Sequence, residues 1–356
     1  MKRHPFLAVI LIAQLSTAAL AQQPRTPITE PPPPAPQPKT QPQKPEDIDV
    51  VRITTNLVQV DAVVTDKNGK VVTDLKPEEV EIFEDGQYLT ERIAAEARQF
   101  IAQHKANPFF MYVPFNGPHY PMHAPEKYVK RFAGLEPERR MYAAMVAAVD
   151  DGVGEIMAAV KQAGLTGNTM VVFVGDNGAT TEKRAGLNQD FARAGSNGPF
   201  RGFKFSLFDG GMHVPGIMSW PGTIPPKQQI HELAMSMDIL PTLCKAAGAS
   251  LPDGYTVDGS DILPVAASQA ASPHPSIFWA QNGQLATRKG KWKLVLDGVL
   301  HDRSEDGGKM KGDDAVFLSN LDVDPGETTN LRHKHPEIVD DLSTGLHHWF
   351  DALSRE

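Results

Sequence analysis

Between Asn107 and Gly178 the chain runs from an apolar strand through a long amphipathic helix to a second apolar strand, an order that leaves few folds open. NPFFMYVPF is short, apolar and rich in aromatics, as in a buried strand. A helix is predicted from about Glu138 to Ala163, with Met141, Met145, Val149, Ile156 and Val160 on one face and Gly164 at its end. TMVVFV, from Thr169 to Val174, then ends in Gly175-Asp176-Asn177-Gly178. A β-α-β unit of this kind is almost always a right-handed crossover between parallel strands, so both strand ends point the same way. His119, in the loop after the first strand, and Asp176-Asn177 after the second are therefore expected at one sheet edge. That carboxyl edge is where open α/β sheets bind ligands.

The flanks read differently. Lys2 and Arg3 precede an apolar run from Phe6 to Leu15, and Ala19-Leu20-Ala21 is a small-x-small pattern, so residues 1–21 are expected to be a cleaved signal peptide and the protein exported, periplasmic or secreted. The run is shorter than the ~20 apolar residues a span requires, and no later segment is predicted to cross a membrane. Residues 22–49 are rich in proline and glutamine and read as a semi-rigid linker. Residues 50–87 form short β-type runs with a hairpin signal at Asn68-Gly69, a small β module. At Asp85-Gly86-Gln87 the pattern turns helical, with Thr90 the expected N-cap and Ile93, Ala97, Phe100 and Ile101 on one face. The seam reads as a junction between two modules.

The only cysteine, Cys244, lies in an apolar helical stretch and is expected to be a small buried hydrophobe, so the fold rests on its core alone. The formal charge of −8 offers no basic patch for nucleic acid. An acidic protein needs local lysine or metal to hold an anion. Gly175 to Gly178 puts a carboxylate beside an amide carbonyl, a pairing that hard cations such as calcium favour.

A series of strings in one order carries a family resemblance. FNGPHYPMHAPEKY, VVFVGDNG, SNGPFRGFKFSLFDGGMHVP, WPGTIPP, DILPTL, DGSDILP, RKGKWKLV and LDVDPGETTNL resemble successive elements of the type I sulfatases, of the alkaline-phosphatase-like superfamily. The segment from Thr54 to Gln87 is similar to the start of bacterial von Willebrand factor A-related exported proteins. The sulfatase resemblance implies an α/β fold, a partial sulfatase sandwich over 88–270 lacking its N-terminal part, with a small antiparallel β subdomain over 271–356. It implies a sulfuric ester hydrolase acting on a sulfate ester small molecule or sulfated glycan. Asp176 and Asn177 match two of the family's calcium ligands, Lys204 the lysine that contacts the sulfate ester, and His119 a histidine near the leaving-group oxygen. His123 reads as a bystander. Asp209 stands where the family has glutamate in E-G-G, and His213 where many members have arginine.

The largest departure is that no C-x-P-x-R or S-x-P-x-R occurs in this chain, so formylglycine, the family's nucleophile, is not possible in it. Two neighbouring donors of one formal charge make at best a weak calcium site. The expectation is a sulfatase-family protein, truncated and impaired. Open beside it stand a non-catalytic exported binding or structural protein, the product of a gene rearrangement, and a phosphodiesterase or phosphonate hydrolase of the same superfamily. Loss of central strands is also expected to leave an unpaired edge unless the β module covers it.

Overall fold

The structure, a computed structural model, describes residues 8–14, 83–84, 87–187, 190–252 and 254–353. Strand β1 is Ala8–Gln14. A short antiparallel ladder joins β2, Phe83–Glu84, to β3, Gln87–Tyr88. It spans the seam read from the sequence, with Asp-Gly between the two strands, a pair favoured in two-residue hairpin loops. Helix α1, Leu89–His104, follows directly. Thr90 is not its N-cap: Tyr88 holds that position without a side-chain cap bond, and Thr90 is buried in the first turn.

Next come β4, Phe109–Phe115, the single-turn α2, Glu126–Val129, and the long α3, Pro137–Gln162. Pro137 suits the first turn of α3, where its missing N–H has no partner to lose, and Gly164 at φ +73° follows its end. Strand β5, Thr169–Val174, leads through a long loop to the single-turn α4, Asp209–Met212, and to β6, Gly216–Ser219. Helices α5, Ile239–Ala247, and α6, Leu263–Ser268, precede four strands: β7, Ile277–Gln281, β8, Gln284–Lys289, β9, Trp292–Leu296, and β10, Val316–Asn320. Helix α7, Pro336–Leu353, ends the described chain.

The first sheet has the order β4-β1-β5-β6. β1 is parallel to both β4 and β5, so β4 and β5 are parallel to each other with one strand between them, and β6 runs antiparallel to β5. The gap expected from the sequence is thus filled by β1, and the β module expected over 50–87 lies, except for residues 83–84 and 87, outside the described residues. Ala8–Gln14 pairs along its length with Phe109–Phe115. The apolar run read as the core of a cleaved leader is also rich in Val and Ile, which suit a strand as well as a leader.

Alternation along β5 explains how the sheet is covered. Val171 and Phe173 face the core built by α1 and α3 with Ala94, Ile101, Phe115, Val149 and Ile156, while Met170 and Val172 face Leu243 and Leu263 of α5 and α6. Period-2 side chains between two helical layers give the α/β sandwich. The second sheet, β10-β9-β8-β7, is antiparallel throughout and is backed by α7 through Leu294, Leu318, Leu342 and Ile338. Leu207 and Phe208 pack on Ala286, Val295 and Phe317, which fastens the loop after β5 to this second sheet. No described helix is long and apolar enough to cross a membrane. Cys244 is half-buried rather than fully buried, because it lies beside the face of α5 that meets the sheet through Thr242 and Leu243.

Candidate functional site

Three segments deliver the residues singled out in the sequence. β4 ends one residue before the loop that carries His119, β5 ends just before Asp176-Asn177, and Lys204 lies in the long loop that precedes α4. Backbone bonds lock that loop onto the end of β5. The Lys204 amide donates to the Ala179 carbonyl at 2.9 Å, and the Gly178 amide donates to the Gly211 carbonyl at 3.0 Å. Asn197 ties the same parts, accepting from the Ala179 amide at 2.7 Å and donating to the Gly202 carbonyl at 2.8 Å. A Cβ on Gly178 would lie 1.8 Å from the Gly210 carbonyl oxygen, so the glycines of GDNG and DGG permit backbone to meet backbone.

Lys204 is only 5% exposed, and its Nζ lies 3.4 Å from His119 Nε2. His119 Nδ1 is 2.8 Å from the Tyr120 carbonyl, which can only accept, so Nδ1 carries the proton. Nε2 then holds a lone pair toward Lys204, whose ammonium donates to it. The result is a buried cation beside an imidazole nitrogen that can take up a proton.

Lys204 has a second neighbour that the sequence reading did not single out. Glu182 Oε2 lies 3.7 Å from Lys204 Nζ. Glu182 also accepts from Thr180 Oγ1 at 3.2 Å and Tyr120 Oη at 3.4 Å. Arg184 Nε donates to Tyr120 Oη at 2.9 Å. Burial, and then the negative charge of Glu182, raise the Tyr120 hydroxyl above its ordinary pKa. No motif in the sequence points to Glu182.

Asp176 is exposed at the tip of the turn, and its charge helps raise the pKa of the half-buried Tyr142 hydroxyl, after the burial of that hydroxyl itself. Asn177 Nδ2 donates to the Gly178 carbonyl at 2.9 Å. The pair offers two of the ~6–8 oxygens calcium takes, and among the described residues no group of three His, Cys, Asp or Glu side chains could hold a metal. The described residues do not fit calcium by themselves. His123 instead supports structure, since its carbonyl accepts from Tyr88 Oη at 2.9 Å.

Behind the loop lies a buried ionic cluster. Asp209 Oδ1 is 2.5 Å from Lys293 Nζ, which is 3.1 Å from Glu327 Oε1, and the Asp209 amide donates to Glu327 Oε2 at 2.6 Å. Three of the family-like strings therefore converge here: DGG through Asp209, RKGKWKLV through Lys293 and DPGETTNL through Glu327. His213 reaches Asp209 Oδ2 at 3.3 Å and stacks on Phe200. Gln284 finishes the anchoring, donating to the Phe205 carbonyl at 3.0 Å and accepting from the Leu207 amide at 3.3 Å.

The profile of the Sulfatase family matches residues 37–249, a span that opens upstream of Tyr88. The chain is similar to arylsulfatase A of Bos taurus, with 33% identity over 70% of this chain and 50% of that protein. It is similar to steryl-sulfatase of Rattus norvegicus, with 35% identity over 57% of this chain and 34% of that protein. The chain thus spans half or less of the length of these relatives. Among solved structures it is similar to Ps i-CgsB in complex with k-i-k-neocarrahexaose, with TM-score 0.63 and 25% identity, covering 79% of this chain and 56% of that one.

Proposed function

The chain belongs to the sulfatase family, and from that premise we propose that it recognises sulfate esters at the Lys204–His119 pair without hydrolysing them unaided. The observation that carries this is the buried Lys204 ammonium 3.4 Å from a histidine nitrogen, beyond the carboxyl ends of the parallel strands β4 and β5. Lys204 supplies a compact positive charge for a sulfate oxygen. His119, its Nδ1 proton fixed by the Tyr120 carbonyl, presents Nε2 toward the ester's leaving oxygen, where it can hold or return a proton. Covalent attack has no atom in this chain to proceed through, because no C-x-P-x-R or S-x-P-x-R is present. What remains is positioning and charge, which supports a binding role over an independently catalytic one.

Calcium and export belong to the same proposal. Asp176 and Asn177 would lend two oxygens to a calcium ion, and with so few charged donors affinity is expected on the order of millimolar or weaker. Export to the periplasm or medium rests on the leader-like residues 1–21.

The test is titration of the full chain with inorganic sulfate and 4-nitrophenyl sulfate, alongside Lys204→Ala and Asp176→Ala, and turnover with and without calcium. Lys204→Ala is expected to weaken sulfate binding by about tenfold or more, as for loss of a hydrogen bond to a charged group worth ~1.5–3 kcal/mol. Turnover is expected to be no faster than that of Asp176→Ala. Sulfate binding indifferent to Lys204 would overturn the pocket, and turnover requiring both calcium and Asp176 would overturn the non-catalytic reading.

A further inference from the structure

Lys204 is not a bare cation awaiting an anion. Its ammonium is shared between His119 Nε2 at 3.4 Å and the Glu182 carboxylate at 3.7 Å. A carboxylate so close to a sulfate pocket opposes the sulfate itself, because the two anions compete for one lysine. It therefore suggests a different use. Glu182 is 22% exposed, and its oxygens are held from behind by Thr180, Tyr120 and Arg184 at 3.2, 3.4 and 3.5 Å. The Tyr120 ring stacks on His119 with centroids 4.2 Å apart, so both acid and aromatic flank the histidine side of the pair, where the ester's alcohol would lie.

We propose that Glu182 is a specificity-determining residue for that alcohol, accepting hydrogen bonds from hydroxyl groups adjacent to the sulfate and so selecting sulfated polyols over sulfated phenols or sterols. This rests on the assignment of Lys204 to the sulfate. An apolar leaving group would strip water from the exposed part of the Glu182 carboxylate and add no donor to those that Thr180, Tyr120 and Arg184 supply, and water lost from an anion without a replacement hydrogen bond is disfavoured. A hydroxyl-bearing ring replaces the water it removes. The same contact draws Glu182 away from Lys204 and leaves the ammonium to the sulfate, so recognition of the alcohol and release of the lysine are one movement. Sites built to hydrogen-bond a hydroxyl reject analogues lacking it far more strongly than apolar sites reject an extra one.

The experiment titrates the full chain with galactose 6-sulfate, 4-nitrophenyl sulfate and inorganic sulfate, for the natural protein, Glu182→Ala and Glu182→Gln. The natural protein is expected to bind the sugar sulfate at least tenfold tighter than the aryl sulfate. Glu182→Ala is expected to bring that ratio close to one while binding inorganic sulfate severalfold tighter, because its competitor for Lys204 is gone. Glu182→Gln, which keeps an acceptor, is expected to retain part of the ratio. These opposite changes separate recognition from damage, since a disturbed fold would weaken all three ligands. A ratio unchanged by Glu182→Ala, or sulfate binding that weakens with it, overturns the inference and leaves the Lys204 pocket standing. Failure of the natural protein to bind any of the three overturns the pocket and the inference together.

Discussion

Lys293 has its ammonium fully buried between two carboxylates, with Asp209 at 2.5 Å and Glu327 at 3.1 Å, so three formal charges share one enclosed volume with a net formal charge of −1. Removing one partner of a buried ion pair costs ~3–5 kcal/mol, because the other charge stays behind. Lys293→Met is expected to destabilise by that much or more in urea denaturation, since it strands two carboxylates. The pair divides its burden unequally. Burial pushes Asp209 up, but the charge of Lys293 and the hydrogen bonds from His213 and Lys293 together more than reverse this and hold its carboxyl well below the usual range. Burial raises Glu327 above its ordinary 4.5, and the Asp209 charge adds to that. The signs follow from linkage. Asp209 contributes stability above its ordinary pKa that is lost only as pH falls toward its depressed value. Glu327 binds its proton more tightly folded than unfolded, so its contribution is favourable below 4.5 and declines as pH rises toward its raised value. Stability measured from pH 4.5 upward should therefore show a decline in the natural protein that is absent in Glu327→Gln; parallel profiles would refute the assignment.

Helix α3 illustrates what decides an element once its pattern is set. A Cβ at Gly152 would meet Ala94 Cβ of α1 and Phe115 Cζ of β4, both at 3.2 Å, whereas one at Gly154 would meet nothing within 4 Å. Overpacking costs ~1–3 kcal/mol and outweighs the few tenths that valine gains over glycine in helix propensity. Gly152→Val is expected to lower the urea midpoint, and Gly154→Ala to raise stability by ~0.5–1 kcal/mol. Helix α3, the helical stretch around Cys244, strands β4 and β5 and the antiparallel character of the second sheet were legible, from an apolar stripe closed by Gly164 and from short apolar runs set off by glycine and proline, whereas α2, α4 and α6 were not read. The start of α1 was not, since Thr90 looks like a cap but lies within the buried first turn. The strand partner of β4 and β5 was illegible for another reason: a short apolar run has no period that separates a leader from a buried strand. At the candidate site, His119 and Lys204 could be read from flanking strings, and their 3.4 Å approach agrees with a common location. Glu182, Lys293 and Glu327 could not be assigned partners, because charges distant in sequence meet only through the loop that Gln284 and the paired glycines hold in place.

At the scale of the whole molecule, the first sheet depends on its N-terminal segment. β1 matches seven residues of β4 and six of β5 in parallel register. A chain starting at residue 22 lacks this strand and is expected to expose the facing edges of β4 and β5, templates for pairing with other chains. Expressed beside the full chain, it should show faster limited proteolysis and self-association in gel filtration; equal resistance and a monomeric elution would show the sheet to be stable without β1. Were residues 1–21 removed as a leader, as their sequence leads one to expect, processing and folding would claim the same seven residues and only one could have them. Whichever acted first would then set the product: early cleavage would leave β4 and β5 without the strand between them, and early folding would withdraw the cleavage substrate for good.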